Sequence, residues 1–283
     1  RVMAIQPTTA EGVSEIVVYV ASKTDATKIE STVFYVMPDG KHAIGTGTGV
    51  MPFGATPFAA TRDELMARAN GAARGSTGKG LELVEFADLQ CPYCAKAQAT
   101  MDKLAKDFPD ARIVFQLYPL VDIHSSAFKA AAYGVCAQEK SDAAFFKYAA
   151  GVFDTQDGLS PTTDDTLLRA AAQRAGLDGT AIAACAATQA TKDVVNSDSK
   201  LATDVRFSET PTIAVNGRLL PLDIPYDTLK QIIVYQAKLD GVPTGASPDI
   251  LAPTPPAPPK LSSLPKQTRF NTDLYWKCDS AAG

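Results

Sequence analysis

The chain has 283 residues, with 27 Lys and Arg against 31 Asp and Glu for a net charge of −4. That balance lacks the basic footprint of a general nucleic-acid or anionic-membrane binder, and 46% hydrophobic with 20% charged residues is ordinary globular composition. Five cysteines are too few for a disulfide-stapled scaffold, so their positions carry the information.

The chain opens on Arg1 without a signal-peptide pattern, so a leader is expected to have been removed or never included. Apolar runs such as 111–117 fall far short of the roughly 20 residues of a spanning helix, and no transmembrane helix is expected. Residues 1–57 read as a small β-rich unit. Residues 15–21 are β-branched and aromatic, and 32–37 and 41–46 flank the turn Pro38-Asp39-Gly40, which predicts a hairpin plus one strand. A unit this small is expected to pack on a neighbour or to form a homodimer.

Residues 58–80 read as a helix and a Gly-rich linker. Thr61 and Glu64 have capping-box spacing, Gly71 suits a C-terminal stop, and 75–80 (Gly-Ser-Thr-Gly-Lys-Gly) reads as flexible. This is not a phosphate loop, because Ala73 stands where that motif needs its first Gly and Gly80 where it needs Ser or Thr. The Gly-Thr repeat at 45–49 likewise lacks dinucleotide-binding spacing.

From residue 81 the pattern alternates. A strand at 81–87 precedes a helix at 92–108, with apolar residues at 94, 97, 101, 104, 105 and 108, and then a strand at 112–118. An Ala-rich helical stretch fills about 125–204. A hairpin follows at 212–215 and 218–220 around Asn216-Gly217, and then an amphipathic helix at 226–238. The order predicts an α/β domain over 81–240 with an all-helical insertion. Residues 241–283 read as a Pro-rich tail whose Phe270, Tyr275 and Trp276 are expected to dock.

The chemistry centres on Cys91-Pro92-Tyr93-Cys94, between a strand and a helix. Pro92 suits the first helical turn. Cys91 then lies at the helix N-terminus, where free N–H groups and the macrodipole favour an anion. Lowering a thiol from about 8.5 to about 7 raises its thiolate fraction at pH 7 from roughly 3% to roughly 50%. Cys94 is one turn further on, placed to close a disulfide. A zinc site would need two more ligands, and neither His42 nor His124 stands at ligand spacing, so no metal and no cofactor are expected. Glu82 and Glu85 have opposite parity on their strand, so one of the two is expected to face inward. Cys136 and Cys185 fall in the helical stretch, either bridged or as two buried thiols, and Cys278 is left over.

Over about 81–240 the sequence resembles the DsbA-type thiol:disulfide oxidoreductases of the thioredoxin superfamily. The resemblance rests on the strand–Cys-Pro-Tyr-Cys–helix, the helical insertion after the second strand, and Glu209-Thr210-Pro211-Thr212 ahead of a strand and Asn216-Gly217. It implies a thioredoxin fold with an all-helical insertion, flanked by the N-terminal β unit and the Pro-rich tail. It also implies an enzyme that exchanges disulfides with protein thiols in the periplasm or another extracytoplasmic space, served by a membrane redox partner. Cys91 would be the exchanging sulfur and Cys94 the resolving thiol. Pro211 would be cis against them, with Thr210, Pro92 and Tyr93 meeting substrate. Glu85 would be the buried acid that moves the proton of Cys94, and Cys136–Cys185 a disulfide within the insertion. His124 stands at a corner where such proteins often carry a His near the redox site, though a capping or surface role is equally open. His42 is expected on the surface.

Tyr93 and Thr210 look more like DsbC/DsbG-type isomerases and glutaredoxins. The 32–46 hairpin resembles the dimerisation domain of those isomerases. The direction of exchange is therefore open. An isomerase or reductase, a glutathione-dependent reductase and a non-catalytic interaction protein are the alternatives.

Overall fold

A computed structural model describes residues 2–8, 10–21, 29–45, 49–52, 58–78, 80–207 and 209–247. The aromatics and Cys278 of the Pro-rich tail lie outside the described residues. The chain divides into two units, with 1–53 in one and 54–253 in the other.

The first unit is an antiparallel meander of five strands in chain order: β1 (Val2–Pro7), β2 (Ser14–Ala21), β3 (Ile29–Val36), β4 (His42–Gly45) and β5 (Gly49–Pro52). The β-branched and aromatic residues of β2 and β3 pair across the sheet, Val17 with Val33 and Ile16 with Phe34. In the turn before β4 the Asp39 carboxylate accepts the N–H groups of Lys41 and His42, and Gly40 takes φ +63°. His42 is exposed and bonded to Asp39. The sequence pointed to a hairpin and one strand. The two outer strands escaped it because β1 carries Pro7 at its end and β5 is four residues long, so pairing with a neighbour defines each.

The second unit runs α1 (Ala59–Arg68), β6 (Ala72–Gly75), β7 (Glu82–Ala87), α2 (Pro92–Asp107), β8 (Arg112–Leu117), α3 (Ala127–Gln138), α4 (Asp142–Phe153), α5 (Asp164–Arg174), α6 (Gly179–Ala186), α7 (Gln189–Asp204), β9 (Thr212–Val215), β10 (Arg218–Pro221) and α8 (Tyr226–Asp240). Its sheet has the order β10-β9-β7-β8-β6, with β7 and β8 parallel and the other pairs antiparallel. This is a thioredoxin fold, with α3–α7 inserted between β8 and β9.

Every residue of the central strand β7 is buried, because helices cover both faces of the sheet. Leu83 packs with Met101, Leu104 and Phe108 on one side and with Leu229 and Ile233 of α8. Val84 and Phe86 pack on the opposite face with Leu65 of α1, Leu201 of α7 and Phe207. The insertion has its own apolar centre around Tyr133, Phe145, Tyr148, Leu168 and Ile182, continuous with Leu89, Leu117, Cys91 and Cys94. Side chains of Ser141, Asp178 and Thr188 cap α4, α6 and α7. Among the described residues no helix is long and apolar enough to cross a membrane.

Three expectations change. The capping box does not form: α1 starts at Ala59, so Thr61 lies inside the helix and no side chain caps it. An unexpected strand, β6, ends at Gly75, the first residue of the 75–80 segment, and pairs antiparallel with the open edge of β8. Gly71 leads into that strand, where a Cβ would lie 2.1 Å from the Phe115 carbonyl oxygen. The Asn216-Gly217 turn forms as expected, both residues having positive φ, +45° and +85°. Asn216 Oδ1 also accepts the Glu82 N–H, tying the hairpin to β7.

Candidate active site

Cys91 is the N-cap residue of α2 and Pro92 its first helical residue. The Cys91 N–H donates to the Asp88 carbonyl at 3.1 Å, and its own carbonyl accepts from Cys94 and Ala95. Both thiols are free and buried, whereas Tyr93 is 67% exposed. Cys91 Sγ lies 3.8 Å from the Thr210 carbonyl oxygen, and the Thr210–Pro211 peptide is cis. Cys94 Sγ accepts the Asp88 N–H at 3.4 Å.

The two thiols are electrostatically opposite. A hydrogen bond from the Cys94 thiol, aided by N–H donors in the first turn, holds Cys91 down to about 5 against the opposing effect of burial. Cys94 is pushed far up, by burial first and then by its bond to Cys91 and the charge there. One sulfur is thus a thiolate at neutral pH, and the other keeps its proton.

Glu85 is 1% exposed and lies on the same face of β7 as Leu83, toward α2. Gln98 Nε2 donates to Glu85 Oε1 at 2.8 Å and to the Cys94 carbonyl at 3.1 Å, joining the acid to the helical turn that carries Cys94. Burial pushes Glu85 up to about 8, with the Gln98 hydrogen bond and the Arg74 charge opposing. The parity expectation is corrected here, because Glu82 is buried as well. It faces the α1 side, with Arg112 Nη1 2.7 Å from its Oε2, and burial raises it against the pull of Arg112. Parity separates inside from outside only when one face of a strand is solvated, and β7 is covered on both.

Three polar residues at the site were not singled out from the sequence. Gln98 had a local signal, since it stands four residues after Cys94 on the same helix face. Asp88 and Gln90 had none that pointed to the site, because the side-chain partners of Gln90 and two of the three carboxylate partners of Asp88 come from beyond β8. The Asp88 carboxylate accepts from Gln90 N at 2.7 Å, Leu120 N at 2.8 Å and His124 Nδ1 at 2.8 Å. Gln90 accepts from Ser126 N and donates to the Leu159 carbonyl. His124 is therefore linked to the Cys91–Cys94 turn through Asp88. Cys136 and Cys185 form a disulfide between α3 and α6, spanning 49 residues with Cα atoms 6.1 Å apart. Among the described residues no cluster of three His, Cys, Asp or Glu side chains could hold a metal.

A thioredoxin family model matches residues 69–234. Among curated proteins, the Na(+)/H(+) antiporter NhaA 3 of Salinispora tropica is 33% identical over 145 residues, covering 51% of this chain and 21% of the antiporter. The antiporter NhaA 1 of Mycolicibacterium vanbaalenii is 31% identical over 155 residues, covering 51% and 23%. The match therefore spans under a quarter of the length of these relatives. Among solved structures, α-DsbA1 of Wolbachia pipientis aligns with TM-score 0.54 at 19% identity, covering 64% of this chain and 98% of its own. BdbD of Bacillus subtilis aligns with TM-score 0.51 at 23% identity, covering 59% and 93%. A periplasmic thioredoxin-like protein of Salmonella enterica serovar Typhimurium aligns with TM-score 0.52 at 20% identity, covering 63% and 97%. These three likenesses are likenesses of fold.

Proposed function

The chain belongs to the thioredoxin family, and we propose that it is a disulfide oxidoreductase that exchanges disulfides with protein thiols outside the cytoplasm through Cys91-Pro92-Tyr93-Cys94. The carrying observation is the asymmetric thiol pair, with Cys91 held at about 5 and Cys94 pushed far above the ordinary range.

With Cys91 and Cys94 joined, a substrate thiolate attacks Cys91 Sγ. The Cys91–Cys94 bond breaks and its electron pair leaves on Cys94, which takes a proton from Glu85. With its pKa near 8, Glu85 is mostly protonated at pH 7 and can supply that proton. A second substrate thiolate then attacks the substrate sulfur of the mixed disulfide and expels Cys91 as a thiolate. A low leaving-group pKa speeds this step and favours net oxidation of substrate. Run backward, the same steps reduce a substrate disulfide.

In this reading Thr210, Pro211, Pro92 and Tyr93 border the approach to Cys91 and meet the incoming chain. The Cys136–Cys185 bridge supports an oxidising compartment, since structural disulfides persist there. A membrane redox partner would restore the Cys91–Cys94 bond. A homodimer through the N-terminal sheet belongs to the same proposal, supported by the half-buried apolar residues Ile16, Val18 and Phe34, and native mass decides it.

The test is oxidation of a dithiol peptide and reduction of insulin. Both are expected to need Cys91, and a Cys91→Ala variant working at the wild-type rate sinks the proposal. Turnover with glutathione but not with protein substrates replaces it with the glutathione-dependent alternative. The reduction potential gives the direction, about −120 mV for an oxidant and about −270 mV for a reductant.

A further inference from the structure

Asp88 takes no part in the exchange steps above, yet its side chain is fully buried and its carboxylate is held from three directions. Oδ1 accepts the Gln90 N–H, and Oδ2 accepts both the Leu120 N–H and His124 Nδ1. Leu120 and His124 lie 32 and 36 residues along the chain, in the connection from β8 into the insertion. These bonds fix the side chain of a residue whose backbone N–H donates to Cys94 Sγ. Cys94 is wholly buried, so solvent cannot stabilise the charge that this sulfur carries when it leaves or attacks. A hydrogen bond to an ionised acceptor is roughly twice as strong as one to a neutral acceptor. The Asp88 N–H therefore interacts with Cys94 more strongly as a thiolate than as a thiol, which is what accelerates a step.

We propose that Asp88 and His124 are positioning residues for the resolving step: the His124-anchored carboxylate holds the Asp88 N–H on Cys94 Sγ, so that the buried sulfur can bear charge. The proposal rests on the thiol-exchange reading. Because Cys91 does not depend on this bond for its own charge, loss of the anchor slows the Cys94 step and spares the Cys91 step.

The two steps separate when the reduced full chain meets the aromatic disulfide 5,5′-dithiobis(2-nitrobenzoate). Attack by Cys91 gives a mixed disulfide and releases one nitrothiolate. Attack by Cys94 on Cys91 Sγ then closes the Cys91–Cys94 bond and releases a second. Stopped-flow absorbance reads both phases. Asp88→Ala and His124→Leu are expected to slow the second phase about tenfold, equivalent to about 1.4 kcal/mol of barrier, and to leave the first within about twofold. His124→Asn, whose amide can donate near the position of Nδ1, is expected to recover most of the loss.

An unchanged second phase in His124→Leu overturns the proposal. So does an equal slowing of both phases together with a lowered Tm, because that is the mark of a purely structural role. If Asp88→Ala does not fold, the His124→Leu and His124→Asn pair decides alone. A wild-type chain that releases no second nitrothiolate instead overturns the exchange reading itself.

Discussion

Replacing Glu85 by Gln tests the buried acid through stability as well as through catalysis. Burial moves this carboxyl from 4.5 to about 8. At about 1.4 kcal/mol per pH unit, charging it in the folded protein costs about 5 kcal/mol. The sign follows from proton binding. Between pH 4.5 and 8 the folded state holds the proton and the unfolded state releases it, so stability falls as pH rises through that window. Its contribution is fully present below about pH 4.5 and lost above about pH 8. Glutamine is neutral throughout and keeps an oxygen for Gln98 Nε2. The Gln variant and the wild type should therefore be equally stable near pH 4.5. The variant should gain steadily above that, reaching an advantage of about 5 kcal/mol near pH 8. Urea unfolding from pH 4.5 to 9 measures the difference, with both proteins in the same redox state so that Cys91 titration cancels. The same variant should be slower in thiol exchange at pH 7, having lost the proton donor for Cys94. A stability difference that does not vary with pH, or that shrinks as pH rises, refutes the assignment of the titrating group to Glu85.

The thiolate absorbance near 240 nm, taken against Cys91→Ser, should titrate with a midpoint of about 5, and a midpoint in the ordinary thiol range contradicts the asymmetric pair. Alkylation at pH 6 should accordingly mark Cys91 and leave Cys94 untouched. Removing the bridge with Cys136→Ala and Cys185→Ala frees a loop of about 50 residues and should cost about 4 kcal/mol of unfolding free energy while exchange activity persists; unaltered urea unfolding refutes this. Arg112→Met leaves Glu82 charged in a covered position and should cost about 3 kcal/mol at neutral pH. That loss should shrink in acid, where Glu82 takes up a proton, so an equal loss at pH 7 and pH 4 would show that the pairing is not its source.

Elements with a local cause are legible in the chain's residues. Pro92 at a first helical position sets Cys91 at the α2 N-terminus, three-residue spacing puts Cys94 one turn on, and Asn216-Gly217 supplies the two positive-φ residues of the β9–β10 turn. Apolar periodicity likewise placed α2 and α8, because each repeat reports which side of a helix meets the core, and short apolar runs placed β7 and β8. Tertiary structure decided the rest. β6 exists because β8 offers an open edge, and no residue in 72–75 announces it. Glu82 and Glu85 are both buried because helices cover the two faces of β7, a fact that one strand's alternation cannot carry. The tie from His124 through Asp88 to Cys94 brings together side chains 36 residues apart. Pairings over such distances follow from how sheet and insertion pack, and short-range spacing is blind to that.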